Sequence, residues 1–185
     1  MALRFSQTAI KGATLVGSDV FRDPRGSFFR SYDEEAFAAR GLPTHWPEHN
    51  VSVNPVCGTL RGVHYQRAPH GEAKLVRCVA GEIYCVVIDV RRSSPTAGKA
   101  EAIRLSAGDG RALHVPEGCA SGFQTLVDAT VVLYLMSAIY VPEAATGVRY
   151  NDPALGIAWP LPVTTISDKD RTLPTLAELR AAEVS

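Results

Sequence analysis

Seven short segments follow one another between Ala73 and Asp152: AKLVRCVAG, EIYCVVIDVRR, EAIRLSAGD, RALHVPEG, SGFQTL, ATVVLYLM and TGVRYND. They are rich in Val, Ile, Leu and Tyr, and glycine, proline or aspartate punctuates them. β-Branched and aromatic residues fit a pleated, half-buried surface, while those breakers supply turns. Strand and turn recurring at about 8–12 residues is the pattern of an all-β sandwich or barrel. A parallel α/β fold needs amphipathic helices between successive strands, and no such helix lies between these. The pattern predicts a double-sheet jelly-roll barrel with short peripheral helices. KLVRCVAGEIYCVVIDV reads as a hairpin turning at Ala80-Gly81-Glu82.

Two helices flank this region. SYDEEAFAARGL has a capping-box pair in Ser31 and Glu34, an apolar Phe37 and a terminating Gly41. LPTLAELRAAE, opened by Pro174, predicts a second helix in a C-terminal tail from about residue 174. There is no internal repeat, low-complexity tract or linker, so residues 1–185 read as one domain. Nineteen basic and nineteen acidic residues cancel, which removes the global electrostatic case for nucleic acid or an anionic membrane. No apolar run is long enough to span a bilayer, and MALRFSQTAIKG is unlike a secretory leader. Cys57, Cys78, Cys85 and Cys119 form no C-x-x-C pair, which predicts free thiols in a reducing cytoplasm.

HVPEGCASGF raises a question of chemistry. In many metal-binding β-barrels such a Pro-Gly turn delivers a histidine three residues after the glycine; here that residue is Ser121. Upstream, RGVHYQRAPHGEAKL contains His64, His70 and Glu72, which could gather a divalent ion. His64 is followed two positions on by Gln66 instead of a second histidine, and serine is a poor ligand. The reading is therefore acid–base chemistry with no metal. In an extended strand, His64 and Gln66 share one face and Val63 and Tyr65 the other. A barrel mouth carrying Arg61, His64 and Lys74 suits an anionic substrate.

Several separated motifs carry a resemblance. FRDPRGSFFRSY, HNVSVNPVCGTLRGVHYQ, KLVRCVAGEIYCVVIDVRRSSPT, VPEGCASGF, LYLMSAIYVPE, NDPALGIAWP and SDKD occur in an order similar to that of the dTDP-4-dehydrorhamnose 3,5-epimerase family, from about residue 9 to residue 176. The resemblance implies a cupin-like, cofactor-independent homodimer whose nucleotide site is shared between subunits. It implies epimerisation of 4-keto-6-deoxy sugars linked to a nucleoside diphosphate. Inversion beside a ketone needs a base on one face, an acid on the other, and a donor at the enolate oxygen. By resemblance His64 is the base, Asp170 its partner, Tyr134 the acid and Lys74 the group at the oxygen. Tyr140 matches a second tyrosine of the site. Arg25, Arg61 and Lys169 match diphosphate contacts; Phe28 and Asn50 match contacts to the base or ribose; Gln66 and Ser121 complete the substrate-binding set.

The chain departs from the family pattern in two places. Ser121 stands where A-H-G-F is common, and Glu48 stands where a glutamine would help to read thymine. A carboxylate only accepts hydrogen bonds, which suits an amino-bearing base and leaves CDP and GDP beside dTDP. Two other readings share these residues: a nucleotide-sugar 3,4-ketoisomerase, and a nucleotide-sugar-binding homologue without activity.

Overall fold

The computed structural model describes residues 1–182. The chain begins with β1 (Leu3–Gln7), β2 (Thr14–Ser18) and a small hairpin of β3 (Phe21–Asp23) and β4 (Gly26–Phe28). Helix α1 (Glu34–Ala38) follows, then β5 (Glu48–Asn54), β6 (Leu60–Gln66), β7 (Lys74–Ala80), β8 (Glu82–Asp89) and β9 (Ala100–Ser106). Next come β10 (Arg111–Val115), β11 (Cys119–Thr125), β12 (Thr130–Met136) and β13 (Ala145–Gly147). Helices α2 (Asp168–Arg171) and α3 (Leu176–Ala182) close the described chain. Among these residues no helix is long and apolar enough to cross a membrane.

A six-stranded sheet in the order β1-β2-β10-β7-β12-β5 faces a five-stranded sheet in the order β13-β6-β11-β8-β9. Neighbouring strands run antiparallel, giving the double-sheet jelly roll that the strand rhythm predicts. Val76, Cys78, Leu113 and Val132 from one sheet meet Ile83, Cys85, Leu105 and Phe123 from the other in the central core. Parts of the outer faces are covered as well. Phe37 of α1 packs on Val16, Leu75 and Ala112, while Leu176 and Leu179 of α3 pack on Val63, Val86 and Ile88. Each such leucine contributes roughly 1.5–3 kcal/mol when fully buried. Strands buried on both faces explain why KLVRCVA and CVVID read as near-continuous apolar runs instead of alternating ones.

Four local expectations change. β7 and β8 do not form a hairpin; they belong to opposite sheets. Gly81, at φ +77°, turns the chain across the sandwich, and a Cβ there would collide with Thr130. β7 instead pairs with β10 and β12, because crossing between sheets lets both strands bury both faces. The α1 cap is Asp33, whose carboxylate accepts from Ala36 N at 3.0 Å; the helix begins at Glu34, so Ser31 lies two residues before the cap position. Helix α3 starts after Thr175 rather than at Pro174. Thr175 and Glu178 form a reciprocal capping box there, with Glu178 accepting from Thr175 N and Thr175 Oγ1 accepting from Glu178 N. Of TGVRYND, only its first two residues are strand.

Candidate active site

The sandwich is apolar through its middle but opens at one end into a cavity of about 360 Å³, a size typical of small-molecule sites. Strand β5 contributes one wall. Its sequence EHNVSVN alternates, yet Asn50 and Ser52 line the cavity, with Val51 at its rim, while Val51 and Val53 are each 63% exposed. Strand β6 contributes the opposite wall. A regular strand would put Arg61 and His64, three residues apart, on opposite faces. The β6–β11 register shifts between Ser121 and Phe123, so a bulge absorbs one residue and both side chains reach the cavity. Gly62 makes this possible. Its φ is +113°, and a Cβ there would lie 2.6 Å from Gly122 Cα.

Asp170, on the one-turn α2, meets His64 from outside the sheet. Its Oδ1 lies 2.6 Å from His64 Nε2, and its Oδ2 accepts from Gly62 N at 3.0 Å. Ser167 caps α2 by accepting from Asp170 N, which fixes the carboxylate's approach. Burial works against ionisation of Asp170. The hydrogen bond and charge of His64, with the Gly62 and Ser167 contacts, outweigh it and hold the carboxyl below its ordinary value. An ionised Asp170 accepts from Nε2–H, which leaves the lone pair on Nδ1 for the cavity. His64 is 41% exposed at its side chain, while Asp170 is 7% exposed. The strand neighbours of His64 are small, Ser121 on one side and Gly147 on the other, so the ring stands clear.

Lys74 is buried in the cavity wall. Its Nζ lies 3.1 Å from Glu72 Oε1 and donates to the His64 carbonyl at 2.9 Å. Tyr134 faces the cavity from the other sheet. Burial pushes its phenol well above the usual range; the nearby Cys85 adds to this, and Arg61 and Ser52 pull the other way. Such a phenol keeps its proton. The Cys85 thiol, pushed up to about 12 by burial, stays protonated too. Of the His64, His70 and Glu72 set, His64 is committed to Asp170 and Glu72 to Lys74. Among the described residues no three His, Cys, Asp or Glu side chains gather as a metal cluster.

Ten of the thirteen residues expected at the site line this one cavity: His64, Asp170, Tyr134, Lys74, Asn50, Arg61, Gln66, Ser121, Tyr140 and Lys169. Gln66 is engaged in a backbone clamp, donating to His70 O and Ile139 O and accepting from Val141 N at 2.6 Å. Arg25, Phe28 and Glu48 lie outside the cavity of their own chain. Arg25 sits on the β3–β4 turn, paired with Asp23, and Phe28 is 67% exposed on the same hairpin. Glu48 accepts from Tyr140 N at 3.1 Å and so ties the Tyr140 segment to β5. Sequence reasoning missed Ser52 as a cavity residue and offered Glu72 only as a metal ligand, where the structure pairs it with Lys74. The inverted alternation of EHNVSVN was the available signal for Ser52.

Residues 7–178 match the family described as dTDP-4-dehydrorhamnose 3,5-epimerase. The chain is 40% identical over 179 residues to an enzyme of that name from Methanothermobacter thermautotrophicus, covering 95% of each. It is similar in structure to NovW, a 4-keto-6-deoxy sugar epimerase of Streptomyces spheroides, with a TM-score of 0.94, 37% identity and coverage of 100% and 92% of the two chains. It is also similar to ChmJ, a 3'-monoepimerase of Streptomyces bikiniensis in complex with dTDP-quinovose, with a TM-score of 0.89, 35% identity and coverage of 96% and 90%.

The depressed Asp170 carboxyl carries a sign. Its ionised form stabilises the fold above the unfolded carboxylate range of about 3.9, and that stabilisation is lost as pH falls through the lower folded value. Asp170→Asn removes it. The gap in melting temperature between wild type and variant is expected to be widest near neutral pH and to shrink toward about pH 3. Calorimetric melts across that range check this, and a gap that does not change with pH refutes it.

Proposed function

The chain belongs to the dTDP-4-dehydrorhamnose 3,5-epimerase family, and on that footing we propose that it inverts C3, C5 or both in a nucleoside-diphosphate-linked 4-keto-6-deoxy sugar. The observation that carries the reading is a histidine–carboxylate pair and a proton-holding tyrosine on facing sheets of one cavity. His64 Nδ1 takes the proton from the carbon next to the ketone. The electron pair moves into the C–C bond and onto the ketone oxygen, giving an enolate, and Asp170 stabilises the imidazolium. Lys74 meets the charge on that oxygen with an ammonium already fixed by two acceptors, so little reorganisation is needed. Tyr134 then delivers its proton from the opposite face and the ketone re-forms. Burial of Tyr134 serves this order of events, since a phenol that resists ionisation holds its proton until a carbanion is present.

Arg61 and Lys169 are the cations for the diphosphate, and Asn50 reaches toward the nucleoside. Arg25 and Phe28 fit this scheme in a homodimer, with the β3–β4 hairpin of one subunit reaching the cavity of the other. Support comes from exposed Phe21, Phe28, Val51, Val53 and Val79, apolar surface that a second copy would cover.

Incubation with a dTDP-linked 4-keto-6-deoxy sugar in D₂O, followed by NMR, tests the chemistry. Wild type is expected to exchange and invert protons next to the ketone without moving the carbonyl. His64→Ala is expected to stop exchange. Tyr134→Phe is expected to keep exchange on the histidine face while inversion falls about 10²–10⁴-fold. A relocated ketone, or exchange that survives His64→Ala, contradicts the assignment.

Mixing subunits tests the shared site. Arg25→Ala and His64→Ala dimers are each expected to be impaired. Re-equilibrated together, they should recover about a quarter of wild-type activity, because half the dimers are mixed and each has one intact site. No recovery would mean that each chain completes its own site.

Glu48 bears on the base. Calorimetric titration with dTDP, CDP and GDP is expected to favour CDP or GDP if its acceptor-only carboxylate reads the base. A preference for dTDP leaves Glu48 as the clamp on Tyr140 alone.

A further inference from the structure

The inward face of β5 ends in a side chain that the mechanism above does not use. Asn54 is fully buried. Its Nδ2 donates to Thr130 O at 3.1 Å and to Ser52 O at 3.2 Å, backbone carbonyls of two paired strands. Those two acceptors decide the orientation of the amide, since a flipped group would point its oxygen at two carbonyls. The Oδ1 must therefore face the cavity side. There it accepts from Arg61 Nε at 2.8 Å and from Ser52 Oγ at 3.1 Å.

Arg61 is otherwise exposed at the cavity mouth, and it has no carboxylate partner among the described residues. Holding a guanidinium by Nε leaves the edge formed by its two terminal amino groups for a bidentate bond to an anion. A neutral amide does this without cancelling the charge. An aspartate at the same position would fix the arginine but neutralise it. Ser52 lines the cavity and shares the Asn54 carbonyl, so the arginine anchor and the wall beside Tyr134 lean on one buried group.

We propose that Asn54 is a positioning residue for diphosphate recognition: anchored on β5 and β12, it holds Arg61 by Nε and turns the free edge of the guanidinium toward the phosphates. The inference rests on the nucleotide-sugar reading of the cavity and adds to it a residue that never touches the ligand.

Calorimetry with a nucleoside diphosphate and with the corresponding unphosphorylated nucleoside separates the possibilities. Asn54→Ala is expected to weaken diphosphate binding about tenfold and leave nucleoside binding unchanged, because only the charge-assisted contact is lost. In turnover, KM should rise while kcat stays within about twofold, as expected when the lost contact is equal in ground and transition states. Placed on an Arg61→Ala background, Asn54→Ala should add no further loss, since the group it positions is gone. Should Asn54→Ala fail to fold, Arg61→Lys takes its place; it keeps the charge but has no Nε to be held, and the same loss is expected. Unchanged diphosphate binding, a loss that persists on the Arg61→Ala background, or an Arg61→Lys variant that binds as well as wild type overturns the proposal. If wild type binds no nucleoside diphosphate, the reading of the cavity itself falls and this inference falls with it.

Discussion

Where β6 passes β11, Gly62 and Gly122 approach so closely that a Cβ on either would meet the other strand's backbone. The bulge at this crossing shifts the register by one residue and turns Arg61 and His64 toward the same space. It also presents Gly62 N to Asp170, so the carboxylate that orients His64 is itself oriented by the crossing. A strand without the bulge would still pack. It would carry the imidazole into the sandwich and the guanidinium away from it. The working geometry of the cavity therefore follows from a backbone contact that only glycine tolerates.

Three charged groups at the cavity, Asp170, Lys74 and Arg61, have fixed companions. Asp170 is balanced by His64 and by the N–H of Gly62, while Ser167 fixes its helix turn by accepting from Asp170 N. Lys74 sits between Glu72 and the His64 carbonyl. Arg61 leans on a neutral amide. Buried charges are costly unless paired and hydrogen-bonded, and the contacts of Asp170 and Lys74 supply both. The low polarity of the surrounding core has a second effect, since it keeps Tyr134 protonated at the wall facing His64.

Much of the fold was legible from the strand rhythm, and the errors have a common cause. Lys74–Ala80 and Glu82–Asp89 look like a hairpin because a glycine turn separates two apolar runs, yet Gly81 carries the chain from one sheet to the other. Apolar runs that are buried on both faces contain no record of which neighbour they pair with. Ser31 and Glu34 satisfy the spacing of a capping box, but Asp33 takes the cap. Local signals named the right element and missed its boundary because Ser31 and Asp33 both offer a capping side chain, and Asp33 is the one that Ala36 N reaches. At the site, Ser52 and Asn54 went unread for a related reason: polar residues on a strand are ordinarily taken to face water, and on β5 they face inward.

The order of residues alone determined that this chain forms paired antiparallel sheets, and its separated motifs pointed to side chains that line one cavity. That much is local, because strand propensity, turn chemistry and motif spacing are written in neighbouring positions. Tertiary structure decided the rest. It joined His64 to Asp170 across more than a hundred residues, set Tyr134 on the opposite wall, and directed the polar side of β5 into the cavity. These are consequences of register and of sheet-to-sheet packing, and such long-range geometry depends on which strands come to lie together, a choice made by total burial over the whole molecule.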